Sequence, residues 1–314
     1  MNDKGEISPR TKNHVLEIVE QLGYRPSRVA QAMNTQRSYM VGFVVPDITN
    51  PFFPEVVRGA QDAAADVGYN VLLCNTDGQP KSELAVMELL STQGVDGIIA
   101  FGFNVSMSEI NAFANTFNPI VFINSHYDHP NVSTIMVQND LGARLAVEYF
   151  VGAGHTQIGM LSNRLSYPGR EIRRERGFIA ALHDFDMPFS DAHIVHTEPH
   201  LSGGYEGTKT LLKRNPQITG IFAYNDLMGL GAIRACLDLG KQVPQDVAII
   251  GFDDIQLNRM TYPSLSSIRV DKYKLGALAM QRILNLIESP VESFPDLEMG
   301  LTLVHRESTK TSAI

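Results

Sequence analysis

From Met40 to Gly251, short apolar runs alternate with longer stretches in which apolar residues recur every three or four positions. The short runs read as buried strands and the longer ones as amphipathic helices. The first series predicts strands at Met40–Val45, Asn70–Asn75, Asp96–Phe101, Pro119–Ile123 and Thr134–Val137. Helices Pro54–Val67, Ser82–Gln93 and Ser106–Phe117 fall between them, the first two stopped by Gly68 and Gly94. A second series predicts helices Asp140–Val151, Arg170–Leu182, Gly204–Lys213 and Leu227–Leu239, and strands Gln157–Leu161, His193–His196, Gly220–Ala223 and Val247–Gly251. Such alternation implies α/β architecture, with parallel sheets covered by helices on both faces. Two series imply two doubly wound lobes. Because open α/β sheets bind ligands at the carboxyl ends of their strands, the cleft between facing lobes is the expected site. Ser266–Val270 reads as a strand, Lys272–Glu288 as a long helix and Leu297–Val304 as one final strand. The expected lobes are residues 39–138 with 269–289, and 139–268 with 290–308.

The first 38 residues follow a different pattern. Ser8 and Pro9 read as a helix cap and first helical residue. A helix to Leu22 carries Val15, Leu16, Val19 and Leu22 on one side, and Gly23 stops it. That stripe needs a partner, so residues 1–25 read as the last piece of a small helical unit. Tyr24-Arg25-Pro26 is an extended break, Ser27–Met33 can form a short helix, and residues 34–38 are a polar link. Charge separates the same two parts. The whole chain of 314 residues carries −8, whereas residues 1–38 carry +2, six Lys/Arg against four Asp/Glu. The acidic body does not suit a bulk nucleic-acid coat; a small basic end on it suggests a second task.

The remaining chemistry mostly excludes. Cys74 and Cys236 are single cysteines in apolar stretches, which suits a reducing cytoplasm and not a disulfide or zinc framework. No apolar run approaches membrane-spanning length, and the first 25 residues hold Asp3, Glu6, Glu17 and Glu20 without an apolar signal core. No nucleophile elbow, zinc-protease, Walker or dinucleotide motif is present, so neither a catalytic constellation nor a cofactor is expected. His193 and His196 would fall on opposite faces of a strand, and His126 and His129 read as a surface turn, so no metal site is expected.

Four blocks then carry a resemblance: GEISPRTKNHVLEIVEQLGYRPSRVAQAM, VGFVVPDITNPFFPEVVRGAQDAAADVGY, VDGIIAFG and FAYNDLMGLGAIRACLDLGKQVPQDVAIIGFDDI. In order and spacing they resemble the lactose/galactose repressor (LacI/GalR) family of bacterial transcription regulators along nearly the whole chain. The resemblance implies a helix-turn-helix headpiece, a hinge helix and a two-lobed effector domain like that of periplasmic sugar-binding proteins. It implies a homodimer, operator DNA and a small effector, a sugar or sugar derivative, as partners. Family members carry about twenty residues more before this start, the helices of the helix-turn-helix unit. The chain as given therefore leads to a second expectation, a cytoplasmic ligand sensor or solute-binding protein without specific DNA binding.

By the same resemblance Ser27–Met33 is the hinge helix, capped by Ser27. Met33 would wedge between base steps in the minor groove while Arg28 and Gln31 contact phosphates or base edges. The competing reading makes Met33 a connector and the arginine a solvated side chain. In the cleft, the resemblance assigns effector contacts to Phe52, Phe53, Asn124, Arg174, Asn225 and Asp253, with His200 standing where the family often has an aromatic. The structural alternatives are a core pair for the phenylalanines, a turn for Asn124 and a solvated helix face for Arg174. Asp226 and Asp254 are expected to be structural. A second cleft arginine among Arg164, Arg170, Arg173 and Arg176 would favour an anionic effector.

Overall fold

The computed structural model describes residues 8–21, 37–102, 105–117, 119–163, 172–289 and 297–309. The first helix, α1, is Pro9–Gln21. The first lobe follows as β1 (Met40–Val45), α2 (Phe52–Ala65), β2 (Asn70–Asn75), α3 (Pro80–Thr92), β3 (Gly97–Phe101), α4 (Met107–Ala114), β4 (Ile120–Ile123) and β5 (Val132–Val137). The second contains α5 (Asn139–Gly152), β6 (Ile158–Asn163), α6 (Arg173–Asp184), β7 (Ile194–Thr197), α7 (Leu201–Arg214), β8 (Gly220–Ala223), α8 (Asp226–Asp238), β9 (Ala248–Asp253) and β10 (Ser266–Arg269). Helix α9 (Lys272–Glu288) and strands β11 (Leu297–Met299) and β12 (Thr302–Val304) complete the described chain.

The strands form two six-stranded sheets ordered β11-β5-β4-β3-β1-β2 and β12-β10-β9-β8-β6-β7. Every pairing is parallel except β10 with β12. Strands such as β3 and β4, buried at every position, are apolar throughout because helices cover both faces. One face of the first sheet packs Met87, Leu90, Ile110 and Phe113 from α3 and α4; the other packs Val56, Ala60, Leu275 and Ile283 from α2 and α9. Helices α2 and α9 approach closely because Gly59 and Gly276 face the other helix: a methyl on Gly276 would lie 1.8 Å from the Val56 carbonyl oxygen.

The tail corrects one expectation. Leu297–Val304 is two strands, divided at Gly300 and Leu301. Leu297–Met299, expected in the second lobe, pairs with β5 of the first, and only Thr302–Val304 joins the second. The chain thus passes between the sheets three times: at Gln138, at Val270–Asp271 and at Gly300–Leu301.

Candidate effector cleft

In each sheet the order reverses beside the first strand of the lobe, opening a crevice at the strand carboxyl ends. The two crevices face each other across a cleft of about 570 Å³. Phe52, Phe53, Asn124, Arg174, Asn225 and Asp253 all line it, as does His200.

The first-lobe wall begins after β1. Asp47 Oδ1 accepts from the Thr49 amide at 2.9 Å and the Thr49 hydroxyl at 2.6 Å, and Asn50 Oδ1 accepts from the Phe52 amide at 3.0 Å. These side-chain turns aim α2 so that it opens with two aromatics at the cleft. Phe52 and Phe53 meet Phe101 edge-on at 5.8 and 4.9 Å between centroids. Phe52 is only 6% exposed and belongs to the core as well as to the wall; Phe53 is half-buried. Phe52 thus has the core packing of the structural alternative and a place in the cleft wall.

Asn124 ends β4 with a φ of +64°, a left-handed conformation that Asn tolerates. Its Oδ1 accepts from the Val137 amide at 2.9 Å and from Asn139 Nδ2 at 3.3 Å. Asn139 opens α5 just after the chain enters the second lobe, and its Oδ1 accepts from Arg174 Nε at 2.8 Å. Arg174 Nη2 then donates to Asp253 Oδ1 at 3.3 Å. A continuous hydrogen-bonded chain thus runs from first lobe to second beneath the cleft. Sequence reasoning had its members Asn124, Arg174 and Asp253 but missed Asn139, whose position as the first residue after the crossover was the available signal.

Arg174 is buried. Its guanidinium lies 3.5 Å from the Phe252 ring centroid and 4.7 Å from that of Tyr224, and it also donates to the Tyr224 carbonyl. Asp253 is 4% exposed. Burial pushes its carboxyl above the usual carboxylate range, while Arg174 and Lys272 pull it back. Asp226 is driven up more strongly, by burial and then by the Asp253 charge. Asp226 does not line the cleft: it accepts from the Ile255 amide at 2.8 Å and the Ser267 hydroxyl at 2.6 Å. Asp254 bonds Arg269 at 2.7 Å and Arg306 at 2.5 Å; burial raises its carboxyl, but these two arginines outweigh it and hold it low.

Asn225 lines the cleft with its amide engaged at both ends. Oδ1 accepts from the Met228 amide at 2.9 Å as the cap of α8, and Nδ2 donates to the Pro199 carbonyl at 2.9 Å. Across the opening, His200 Nδ1 stands 3.9 Å from Asp47 Oδ2 of the first lobe. Asp47, Asp77, Asn163 and Tyr224 also face the space. Among the described residues Arg174 is the only arginine in the lining. Arg173 and Arg176 are exposed, Arg176 paired with Asp140 at 2.7 Å. Arg164 and Arg170 lie outside the described residues, as do Ser27, Arg28, Gln31 and Met33. Among the described residues no cluster of His, Cys, Asp or Glu could hold a metal, and no helix is long and apolar enough to cross a membrane.

Two lobes of this topology, with polar strand ends and aromatic faces converging on one cleft, define a periplasmic-binding-protein-like small-molecule receptor. The family model for periplasmic binding proteins and the sugar-binding domain of the LacI family matches residues 38–307. The ribose operon repressor of Halalkalibacterium halodurans is 33% identical over 311 residues, 99% of this chain and 91% of its own length. Catabolite control protein A of Priestia megaterium is 31% identical over 310 residues, 99% and 93% of the two chains. A LacI-family regulator from Enterococcus faecium, solved with bound ribose, superposes with a TM-score of 0.77 at 28% identity, covering 86% of this chain and 98% of that one. The chain belongs to the LacI family of transcriptional regulators.

Proposed function

We propose that this regulator binds a neutral sugar between its lobes and that occupancy of the cleft alters its affinity for operator DNA. The observation carrying this reading is the convergence of six strand-end and helix-start residues from both lobes on one cleft, with Arg174 already paired to Asp253. A neutralised guanidinium with spare donors, beside amides and aromatic rings, suits hydroxyl recognition and ring stacking. The 28%-identical Enterococcus regulator, solved with ribose, supports the ligand class. The roles of Phe52, Phe53, Asn124, Arg174 and Asp253 as effector contacts belong to this proposal. The role of Asn225 belongs to it too, with the amide held in place by the Pro199 carbonyl and the Met228 amide. So do hinge contacts by Ser27, Arg28, Gln31 and Met33, the homodimer and a cytoplasmic site of action. The alternative of a sensor without DNA activity finds no support in the relatives described, which are named as a repressor, a control protein and a transcriptional regulator.

Calorimetric titration with pentoses, hexoses, disaccharides and their phosphates tests the reading. Saturable binding of a neutral sugar is expected, lost in Phe53→Ala and Arg174→Met proteins that remain folded. Binding restricted to sugar phosphates, or unaffected by both substitutions, would overturn it. Regulation is tested by measuring whether the bound sugar changes retention of genomic DNA fragments; by linkage, DNA must change sugar affinity by the same factor.

A further inference from the structure

Lys272 is the first residue of α9, where the chain returns from second lobe to first, and it is 4% exposed. A lysine so buried needs acceptors for its ammonium. Nζ donates to the Asp253 carbonyl at 2.8 Å and to the Asp254 carbonyl at 2.9 Å, and lies 3.6 Å from Glu55 Oε2. The carbonyls belong to the second lobe; Glu55 lies in the first turn of α2, just after Phe52 and Phe53. Asp253 and Asp254 have φ values of +106° and +52°, left-handed conformations that a non-glycine residue adopts at a cost. That turn sends the Asp253 carboxylate toward Arg174 and the Asp254 carboxylate toward Arg269 and Arg306.

We propose that Lys272 is a positioning residue for the cleft: its ammonium, oriented by Glu55, pins the strained Asp253–Asp254 turn and so aims Asp253 at Arg174. Lys272 does not line the cleft and acts only through Asp253. The inference depends on the effector reading for its consequence, but the contact itself is made entirely by this chain's own residues. It is therefore tested on the ligand-free protein, where failure to identify the sugar has no bearing.

Amide hydrogen exchange is measured at Asp254 and Ile255, with Ala279 and Met280 of α9 as internal reference. Lys272→Met keeps the apolar stem and removes the charge. It is expected to speed exchange at Asp254 and Ile255 roughly tenfold or more, the loss of at least one charge-assisted hydrogen bond, with α9 unchanged. Glu55→Gln changes a partly exposed side chain and keeps the fold; it removes only the orienting charge and is expected to give a smaller acceleration at the same two amides. A merely structural lysine would loosen α9 and the turn together. Acceleration spread equally over α9, or none at the turn in either variant, overturns the proposal. If Lys272→Met does not fold, Glu55→Gln alone decides: no selective acceleration at Asp254 and Ile255 refutes it.

Discussion

Arg174→Met removes the guanidinium while keeping most of the apolar stem between Phe252 and Tyr224. It leaves Asp253 buried without its closest counter-charge. An uncompensated buried partner costs roughly 3–5 kcal/mol if it stays ionised. Asp253 can escape part of that by taking up a proton, at about 1.4 kcal/mol for each pH unit above its folded pKa. Burial already holds that pKa above the ordinary range, and loss of Arg174 raises it further. A carboxyl raised on folding binds a proton that the unfolded chain lacks, so stability falls as pH rises through the window above the ordinary carboxylate value. The expected loss is therefore roughly 2–4 kcal/mol at pH 8, shrinking by up to about 1.4 kcal/mol per unit toward pH 5.5. The assay is urea unfolding of wild type, Arg174→Met, Asp253→Asn and the double variant at several pH values. Asp253→Asn in the Arg174→Met background should recover stability at pH 8, because a neutral amide replaces the stranded charge. A deficit independent of pH together with no recovery in the double variant would refute the reasoning and leave lost packing as the whole effect.

Gly276→Ala places a methyl against the Val56 carbonyl and should cost about 3 kcal/mol or more by forcing α2 and α9 apart; thermal unfolding checks this, and a neutral outcome would contradict the close crossing. Asn225→Ala should cost roughly 1–2 kcal/mol in urea unfolding through the lost cap of α8. A change of tenfold or more in sugar Kd, with the fold intact, would make that amide an effector contact as well. Asp226→Asn should flatten the fall of stability between pH 5.5 and pH 8, because it removes the more strongly raised buried carboxyl; an unchanged pH profile would place the proton elsewhere.

The sheets were legible because fully buried parallel strands must be apolar along their length: Met40–Val45 and Gly220–Ala223 have the predicted bounds to the residue. The tail was not, since a three-residue strand has no measurable periodicity and its partner is chosen by long-range geometry. Nothing local in Leu297–Val304 says that its two halves pair with β5 and β10. In the cleft, position at a strand end was visible, but which polar atoms remain for a ligand was not. Asn225 shows the difference, its amide being used by backbone groups 26 residues before it and three after. Lys272 escaped notice for a related reason: on a helical wheel it is a solvated first-turn residue, and only the crossover buries it.

The triple passage between the sheets sets an order on synthesis. Leu297 pairs with Ile135, and Thr302 pairs with Arg269, so each sheet receives its last strand from nearly the same stretch of chain. A ribosome that has released residues 39–138 has made five of the six strands of the first sheet but neither α9 nor β11, leaving the apolar faces of α2 and β5's edge uncovered. The lobe translated first therefore cannot finish ahead of the second; both are completed within a few residues of each other. Nascent chains halted before β11 should accordingly lean on chaperones, and no single proteolytic cut can release either lobe whole.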